Sequence, residues 1–173
     1  MFSYLTYGQT DQGKVTLGLT SNLSFSSLKA EESDDPTNTF FVNPKIGYFL
    51  INDLSVGTIV MISSRTTGDF EERGLSIGPF ARYYFLEEKI RPFLQAEYLF
   101  GSTDESGGNN EFKSRTETFI LSGGAAFFIN KYIAFDAQLS YFTGNVNQEV
   151  EFSIDNDFNF SGFGFEVGFS LFF

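Results

Sequence analysis

The chain has 173 residues, a formal net charge of −11, and neither cysteine nor histidine. This length predicts a single domain. The missing residue types exclude disulfides, thiol chemistry, Ser-His and Cys-His catalysis, and histidine-based metal sites. The 11 Lys and Arg residues are scattered, which argues against nucleic acid as a partner.

The first eight residues, MFSYLTYG, are apolar and aromatic, and the chain then turns polar. They lack the basic n-region and the longer h-region of a complete signal peptide. One hypothesis is that they are the tail of a signal sequence, cleaved after Gly8 to leave Gln9 as the first residue. The other is an ordinary N-terminal extension. Residues 1–12 are therefore assigned to this remnant or extension, and residues 13–173 to the domain.

From about Lys14 onward, apolar and polar residues alternate with a period of two, which predicts strands with one apolar face each. The predicted strands cover, approximately, residues 14–28, 40–50, 54–62, 74–85, 90–100, 119–129, 133–141 and 161–173. No run approaches the roughly 18 consecutive apolar residues of a membrane-spanning helix, so any membrane span must be made of strands.

The connections between these strands are predicted to alternate between short and long. Short turns lie near Asn52, Glu88 and Lys131. Long loops are predicted at residues 30–38, 66–73, 101–117 and 143–159. In an up-and-down barrel the turns share one end and the loops share the other.

The predicted loops carry most of the acidic residues: Glu31, Glu32, Asp34, Asp35, Asp69, Glu71, Glu72, Asp104, Glu105, Glu111, Glu149, Glu151, Asp155 and Asp157. A hydrated loop surface is the favoured interpretation of such runs. The alternative is an extracellular ligand, including divalent cations that would bridge the loops to anionic lipopolysaccharide; the oxygen-ligand pattern for this is incomplete.

Charged residues near the strand centres fall on the face of small residues and not on the apolar face. They are Lys45, Arg82, Glu97, Asp136 and Glu166. Because a Lys or Arg facing lipid near the midplane costs about 2–4 kcal/mol, this pattern predicts a membrane barrel with apolar side chains outward and charges inward. A soluble lipocalin-like barrel would have the opposite polarity.

An eight-stranded barrel is just wide enough for its own side chains, and charges buried there must pair. The five charged residues are therefore expected to form an electrostatic plug without a continuous channel. The alternatives are a proton relay or a selectivity filter.

The last strand sets Phe163, Phe165, Val167, Phe169, Leu171 and Phe173 on one face and Gly162, Gly164, Glu166, Gly168 and Ser170 on the other. Aromatic residues also gather near the strand ends, which predicts two interfacial girdles. The turn-end girdle would contain Tyr48, Phe49, Tyr83, Tyr84, Phe85, Tyr132, Phe172 and Phe173. The loop-end girdle would contain Phe25, Phe40, Phe41, Tyr98, Phe100, Phe119, Tyr141 and Phe158.

This closing strand resembles the C-terminal strand of bacterial outer-membrane barrels. From about Gly13 the chain is similar to the small eight-stranded OmpA/OmpX-like barrels, and the stretch GPFARYYF at residues 78–85 resembles the porin-family group of outer-membrane β-barrels. The resemblance implies an all-β, eight-stranded antiparallel up-and-down transmembrane barrel with short periplasmic turns and long extracellular loops. It places the protein in the outer membrane of a Gram-negative bacterium, in contact with outer-membrane lipid and with both termini periplasmic.

The resemblance further implies that Phe169, Leu171 and Phe173 serve as the signal recognised by the barrel-assembly machinery. Outer-membrane barrels of this size that are enzymes depend on histidine, which this chain lacks, so neither enzymatic activity nor a cofactor is expected. The resemblance implies a structural or surface-interaction role in envelope integrity or adhesion. The competing hypothesis is a narrow pore for small solutes or ions, and the third is a soluble lipocalin-type ligand binder.

Overall fold

A computed structural model describes residues 8–22, 37–67, 70–107, 110–148 and 157–173. These residues form the strands β1 (Val15–Asn22), β2 (Thr37–Ile51), β3 (Leu54–Thr67), β4 (Phe70–Tyr84), β5 (Ile90–Gly107), β6 (Asn110–Phe128), β7 (Ile133–Gln148) and β8 (Asp157–Phe172). Each strand pairs antiparallel with the next, and β8 pairs with β1 to close the barrel. The predicted eight-stranded up-and-down barrel is confirmed. Within the described ranges, no helix is long and apolar enough to cross a membrane.

The two ends of the barrel differ in how the strands are joined. At one end, called the turn end here, the connections are residues 52–53, 85–89 and 129–132, as predicted. At the opposite end, called the hairpin end, the predicted loops at 66–73, 101–117 and 143–159 are wrong over most of their length. The strands continue through the described parts of those segments, which are residues 66–67, 70–73, 101–107, 110–117, 143–148 and 157–159. Of the predicted connection at 30–38, residues 37 and 38 belong to β2 and the rest lies outside the described residues, as does the predicted end of the first strand at Leu28.

Register shows how far the hairpins extend. β3 and β4 pair as far as Thr67↔Phe70, β5 and β6 as far as Gly107↔Asn110, and β7 and β8 as far as Asn147↔Asp157. Loops were predicted there because the segments are polar. Polar residues can form the same backbone hydrogen bonds between strands as apolar ones when the neighbouring strand is already in register. The change to polar residues therefore indicates where the apolar face ends, and not where the strand ends.

The predicted apolar faces point away from the barrel axis. Large hydrophobic side chains at these positions are exposed, including Phe163 (83%), Leu139 (66%) and Leu75 (57%). Together they form the apolar belt. Its outward-facing residues lie within positions 15–19 of β1, 40–50 of β2, 54–62 of β3, 75–83 of β4, 92–100 of β5, 119–127 of β6, 133–141 of β7 and 163–171 of β8, with Phe173 directly after β8. No outward position of this belt is charged. The inverted polarity expected of a soluble ligand-binding barrel is therefore not what this fold has.

Candidate functional site: the barrel interior

The barrel interior is filled in layers, and the layer nearest the turn end is aromatic. It consists of Phe49, Tyr84, Phe93, Phe128 and Phe172, packed with two alanines, and each of these side chains is at most 2% exposed. Neighbouring rings lie 5.1 to 6.3 Å apart between centroids, a spacing typical of packed aromatic pairs. This aromatic layer leaves the turn end of the barrel closed by side chains.

The aromatic layer corrects part of the girdle prediction. Phe49, Tyr84 and Phe172 were expected on the outer surface, yet they point into the barrel. A position near a strand end does not tell inward from outward, whereas parity does: Tyr84 shares a face with Arg82, and Phe172 shares one with Ser170. Other predicted turn-end members do face outward and are exposed, namely Tyr48, Tyr83, Phe85, Tyr132 and Phe173.

At the hairpin end the predicted aromatic girdle is likewise confirmed for some of its members and not for others. Phe40, Tyr98, Phe100, Phe119 and Tyr141 are exposed on the outer face. Phe41 is half-buried on the inner parity of β2. Phe25 lies outside the described residues, and Phe158 is described only for its backbone.

A charged layer lies next to the aromatic one and is centred on a buried ion pair. Arg82 Nη1 lies 2.7 Å from Asp136 Oδ2, and the two residues are 2% and 0% exposed. Ser170 Oγ donates to the same carboxylate oxygen at 2.7 Å. The Arg82 guanidinium also sits 4.0 Å above the Phe93 ring centroid. Each charge therefore has a close partner, as a desolvated pair requires.

Gln95 links the other charges of this layer. Its Oε1 accepts hydrogen bonds from Arg82 Nε at 2.5 Å and from Lys45 Nζ at 3.4 Å. Its amide nitrogen donates to Glu97. One neutral side chain thus stands between both cations and a carboxylate, and all three charged residues are buried.

Glu166 is held differently from the other predicted residues. Its Oε1 accepts a hydrogen bond from Ser140 Oγ at 2.9 Å, and its Oε2 accepts one from Asn43 Nδ2 at 3.3 Å. Glu166 is half-buried, whereas Asn43 and Ser140 are buried. The structure therefore places all five predicted charged residues inside the barrel. Arg82 and Asp136 pair directly. Lys45, Glu97 and Glu166 bond instead to neutral amides and hydroxyls.

The neutral residues that bond to these charges were partly predictable from the sequence. Gln95, Ser140 and Asn43 share the inner parity with the charges, so parity marks them as interior. Their pairing depends on the stagger between strands, for example Ser140↔Gly164 on β7 and β8, which a single sequence does not contain.

The third layer fills one side of the barrel toward the hairpin end. It is an apolar cluster of Ile59, Phe80, Leu99 and Ile120, with Met61 and Phe142 packed against it. These residues belong mainly to β3, β4, β5 and β6. Across the barrel from this cluster, the inner faces of β1 and β8 carry mainly glycine and small polar residues.

A turn-end cap, made of Gln9, Thr10, Asp53 and Arg91, lies on the outer side of the aromatic layer. Arg91 is 1% exposed and donates to Thr10 Oγ1 at 2.5 Å and to Gln9 Oε1 at 3.1 Å. It also lies 3.6 Å from Asp53 Oδ1 and 4.9 Å from the Phe128 ring centroid. Residues that precede the first strand therefore pack into the barrel mouth.

Sequence reasoning missed this cap. Arg91 has the inner parity, but its partners Gln9 and Thr10 lie in the segment assigned to a signal remnant or extension. A contact spanning 82 positions of sequence has no local signal. Cleavage after Gly8 stays a prediction, and it would leave both cap residues in place.

Comparison with known proteins finds likeness in solved structures alone. No family model and no curated protein matches the chain. The N-terminal β-barrel domain of OprF from Pseudomonas aeruginosa superposes with a TM-score of 0.61 at 13% identity, over 94% of this chain and 98% of that chain. Neisserial surface protein A gives a TM-score of 0.62 at 15% identity, over 92% and 97%. The outer membrane protein OprG from Pseudomonas aeruginosa gives 0.56 at 11% identity, over 95% and 98%. This likeness establishes a shared barrel fold along nearly the whole chain.

Proposed function

We propose that this chain is an integral barrel of a bacterial outer membrane, related to the OmpA/OmpX-like group, with a closed interior and a non-catalytic structural or surface-interaction role. The observation that carries the proposal is the polarity of the wall, because an uncharged apolar belt faces outward while the charges face inward. The barrel shares its fold with a protein described as an outer membrane protein and with another described as a surface protein.

The proposed orientation follows from the two ends of the barrel. β1 begins and β8 ends at the turn end, so an even number of strands leaves both termini on that side. With the turn end periplasmic, the hairpin end faces outward from the cell. Phe169, Leu171 and Phe173 lie on the outer face of β8 beside the turn end, where the barrel-assembly machinery would recognise them as the assembly signal.

Lipid contact at the belt predicts a position-dependent penalty for a new charge. Ala137 lies at the middle of the β7 part of the belt, and Ala137→Arg is expected to lower the free energy of unfolding in vesicles by about 2–4 kcal/mol. Thr143, on the same face of the same strand but beyond the belt, is exposed and supplies the control Thr143→Arg. Urea titrations of the refolded proteins measure both. Equal losses in the two variants would contradict lipid contact at the belt.

The hairpins are the proposed surface for interaction. β5 continues from the belt to Gly107 and β6 returns from Asn110, so this hairpin extends roughly 20 Å past Phe100 at about 3.3 Å per residue. Asp104, Glu105 and Glu111 lie along it. An acidic ribbon at this distance from the bilayer is accessible to other cells, matrix or soluble factors.

One experiment separates the interaction role from the competing narrow pore. Refolded protein in a planar bilayer is expected to give no reproducible conductance steps, because the aromatic layer and the turn-end cap close one mouth. In parallel, residues 104–113 are replaced by Asn-Gly between the register partners Thr103 and Ser114, which builds a two-residue hairpin. Cell or matrix binding that is lost in this variant supports the interaction role. Reproducible channels in the unmodified barrel would instead establish the pore.

A further inference from the structure

The residues that precede β1 cross the mouth of the barrel at the turn end. We call residues 9–14 the strap; its first two members, Gln9 and Thr10, belong to the turn-end cap and are each 3% exposed. The strap leads into β1, yet both residues bond to Arg91 at the start of β5. β5 is the fourth strand from β1 in either direction around the barrel. The strap therefore ties the start of the first strand to the opposite wall.

The strap is also bonded along its length to the turn between β2 and β3. Gln12 N donates to Asn52 Oδ1 at 2.9 Å, and Asp53 N donates to Thr10 O at 2.8 Å. The carbonyl of Asp53 accepts a further bond from Tyr84 N at 2.9 Å, at the end of β4. One turn thus connects the strap to β2, β3 and β4, and Arg91 connects it to β5.

The hydroxyl of Thr10 is the central group of this network. It accepts a hydrogen bond from Arg91 Nη1 at 2.5 Å and donates its proton to Asp53 Oδ1 at 2.5 Å. A threonine hydroxyl can do both at once, because it has one donor and two acceptor lone pairs. Thr10 and Arg91 are buried, so solvent has little access to replace these bonds. Valine has the same shape as threonine and makes neither bond.

The strand that the strap precedes is the one that most needs holding. Within the described residues β1 has 8 residues, whereas the other strands have 14 to 19. β1 and β8 are the two ends of the sheet, and their pairing closes the barrel. A first strand that separated from its neighbours would leave unpaired N–H and C=O groups on open sheet edges, which is costly in a membrane.

We propose that the strap locks the first strand into the closed barrel, so that β1 separates from its neighbours at the turn end only after Gln9 and Thr10 have left the mouth. The geometry requires this order, because β1 cannot move outward while the strap is bonded to the opposite wall. The lock goes beyond the proposed function, since neither the apolar belt nor the hairpins require any residue before β1.

Amide hydrogen exchange in β1 measures this opening. Val15 N donates to Phe173 O at 3.1 Å, and Phe173 N donates to Val15 O at 2.9 Å. Because bonded pairs alternate along an antiparallel ladder, the amides of Leu17 and Leu19 also point to β8. Their exchange rates, measured by NMR on the refolded ¹⁵N-labelled full chain in lipid nanodiscs, report how often β1 leaves β8.

Thr10→Val is expected to speed the exchange of the Leu17 and Leu19 amides by about tenfold, because it weakens the lock and leaves the ladder intact. Ile120→Val is the matched control. It removes a methyl group from the apolar cluster, which lowers the stability of the whole barrel. This cluster stays packed when only β1 opens, so Ile120→Val is expected to leave both exchange rates unchanged.

A backbone variant tests the lock without touching the Thr10 hydroxyl. Gly13 joins the strap to β1 with a φ of 91°, and an added Cβ would meet only the Tyr48 hydroxyl, at 3.8 Å. Gly13→Ala therefore strains the strap without a clash, and the strain is relieved when the strap leaves the mouth. We expect exchange of the same two amides to rise by about tenfold.

The exchange rates decide between the lock and two other ways in which β1 can open. Unchanged rates in both Thr10→Val and Gly13→Ala would mean that β1 opens while the strap stays bonded. Equal acceleration in Thr10→Val and Ile120→Val would mean that β1 opens only when the whole barrel unfolds. Either result would overturn the proposal, and neither depends on the conductance and hairpin experiments.

Discussion

Replacing Asp136 with alanine is expected to lower the free energy of unfolding by about 3–5 kcal/mol. The substitution leaves the Arg82 guanidinium, which is 2% exposed, without the carboxylate that lies 2.7 Å away. Ser170 loses its acceptor as well, because its hydroxyl donates to the same oxygen. Urea unfolding of the barrel in lipid vesicles, followed by circular dichroism, measures the loss.

Two further variants show whether the loss comes from an uncompensated charge. Replacing both partners, Arg82→Met with Asp136→Leu, is expected to restore most of the stability, because a buried ion pair contributes little over apolar residues of similar size. Glu117→Ala removes an exposed carboxylate that accepts a bond from Tyr98 at 2.9 Å, and is expected to unfold close to the unmodified protein. A loss in Asp136→Ala no larger than in Glu117→Ala would contradict charge neutralisation inside the barrel.

The inward placement of these charges was predictable because side-chain direction in a strand depends on parity alone. Arg82 and Glu166 alternate with large apolar residues, so one decision about which face is outward places both of them. The partners of each charge were not predictable in the same way. Pairing depends on the stagger of eight strands. Counting charges suggests direct contacts between ions, whereas in the structure the neutral Gln95 accepts hydrogen bonds from both Arg82 and Lys45.

The position of a residue along the barrel axis was less predictable than whether its side chain faces inward or outward. Phe172 and Tyr84 carry an inner parity that was visible in the sequence, but their strand-end position suggested an interfacial ring. The narrow barrel instead uses aromatic side chains to fill its mouth, because its interior is just wide enough for side chains and aromatic rings are the largest apolar ones. The hairpin end shows the converse error, since polar composition hid strands that run to Gly107 and Gln148.

Phe49→Ala is expected to destabilise the barrel by about 3–5 kcal/mol, because it leaves a cavity in the aromatic layer. Phe49 is 0% exposed, and its ring lies 6.1 Å from that of Tyr84 and 6.3 Å from that of Phe172. Its backbone bonds to Gly13 and Lys14 do not depend on the side chain, so the substitution isolates packing.

The neighbouring residue provides the control for Phe49. Tyr48→Ala removes a ring from the outer face, where the side chain is 48% exposed, and leaves the interior intact. Its loss in the same urea titration is expected to be clearly smaller than that of Phe49→Ala, while Phe49→Leu keeps most of the buried volume and falls between them. If Tyr48→Ala proved the more damaging change, packing inside the turn end would contribute less to stability than the outer ring does. The closure of that mouth would then have to rest on the Arg91 cap and not on the aromatic layer.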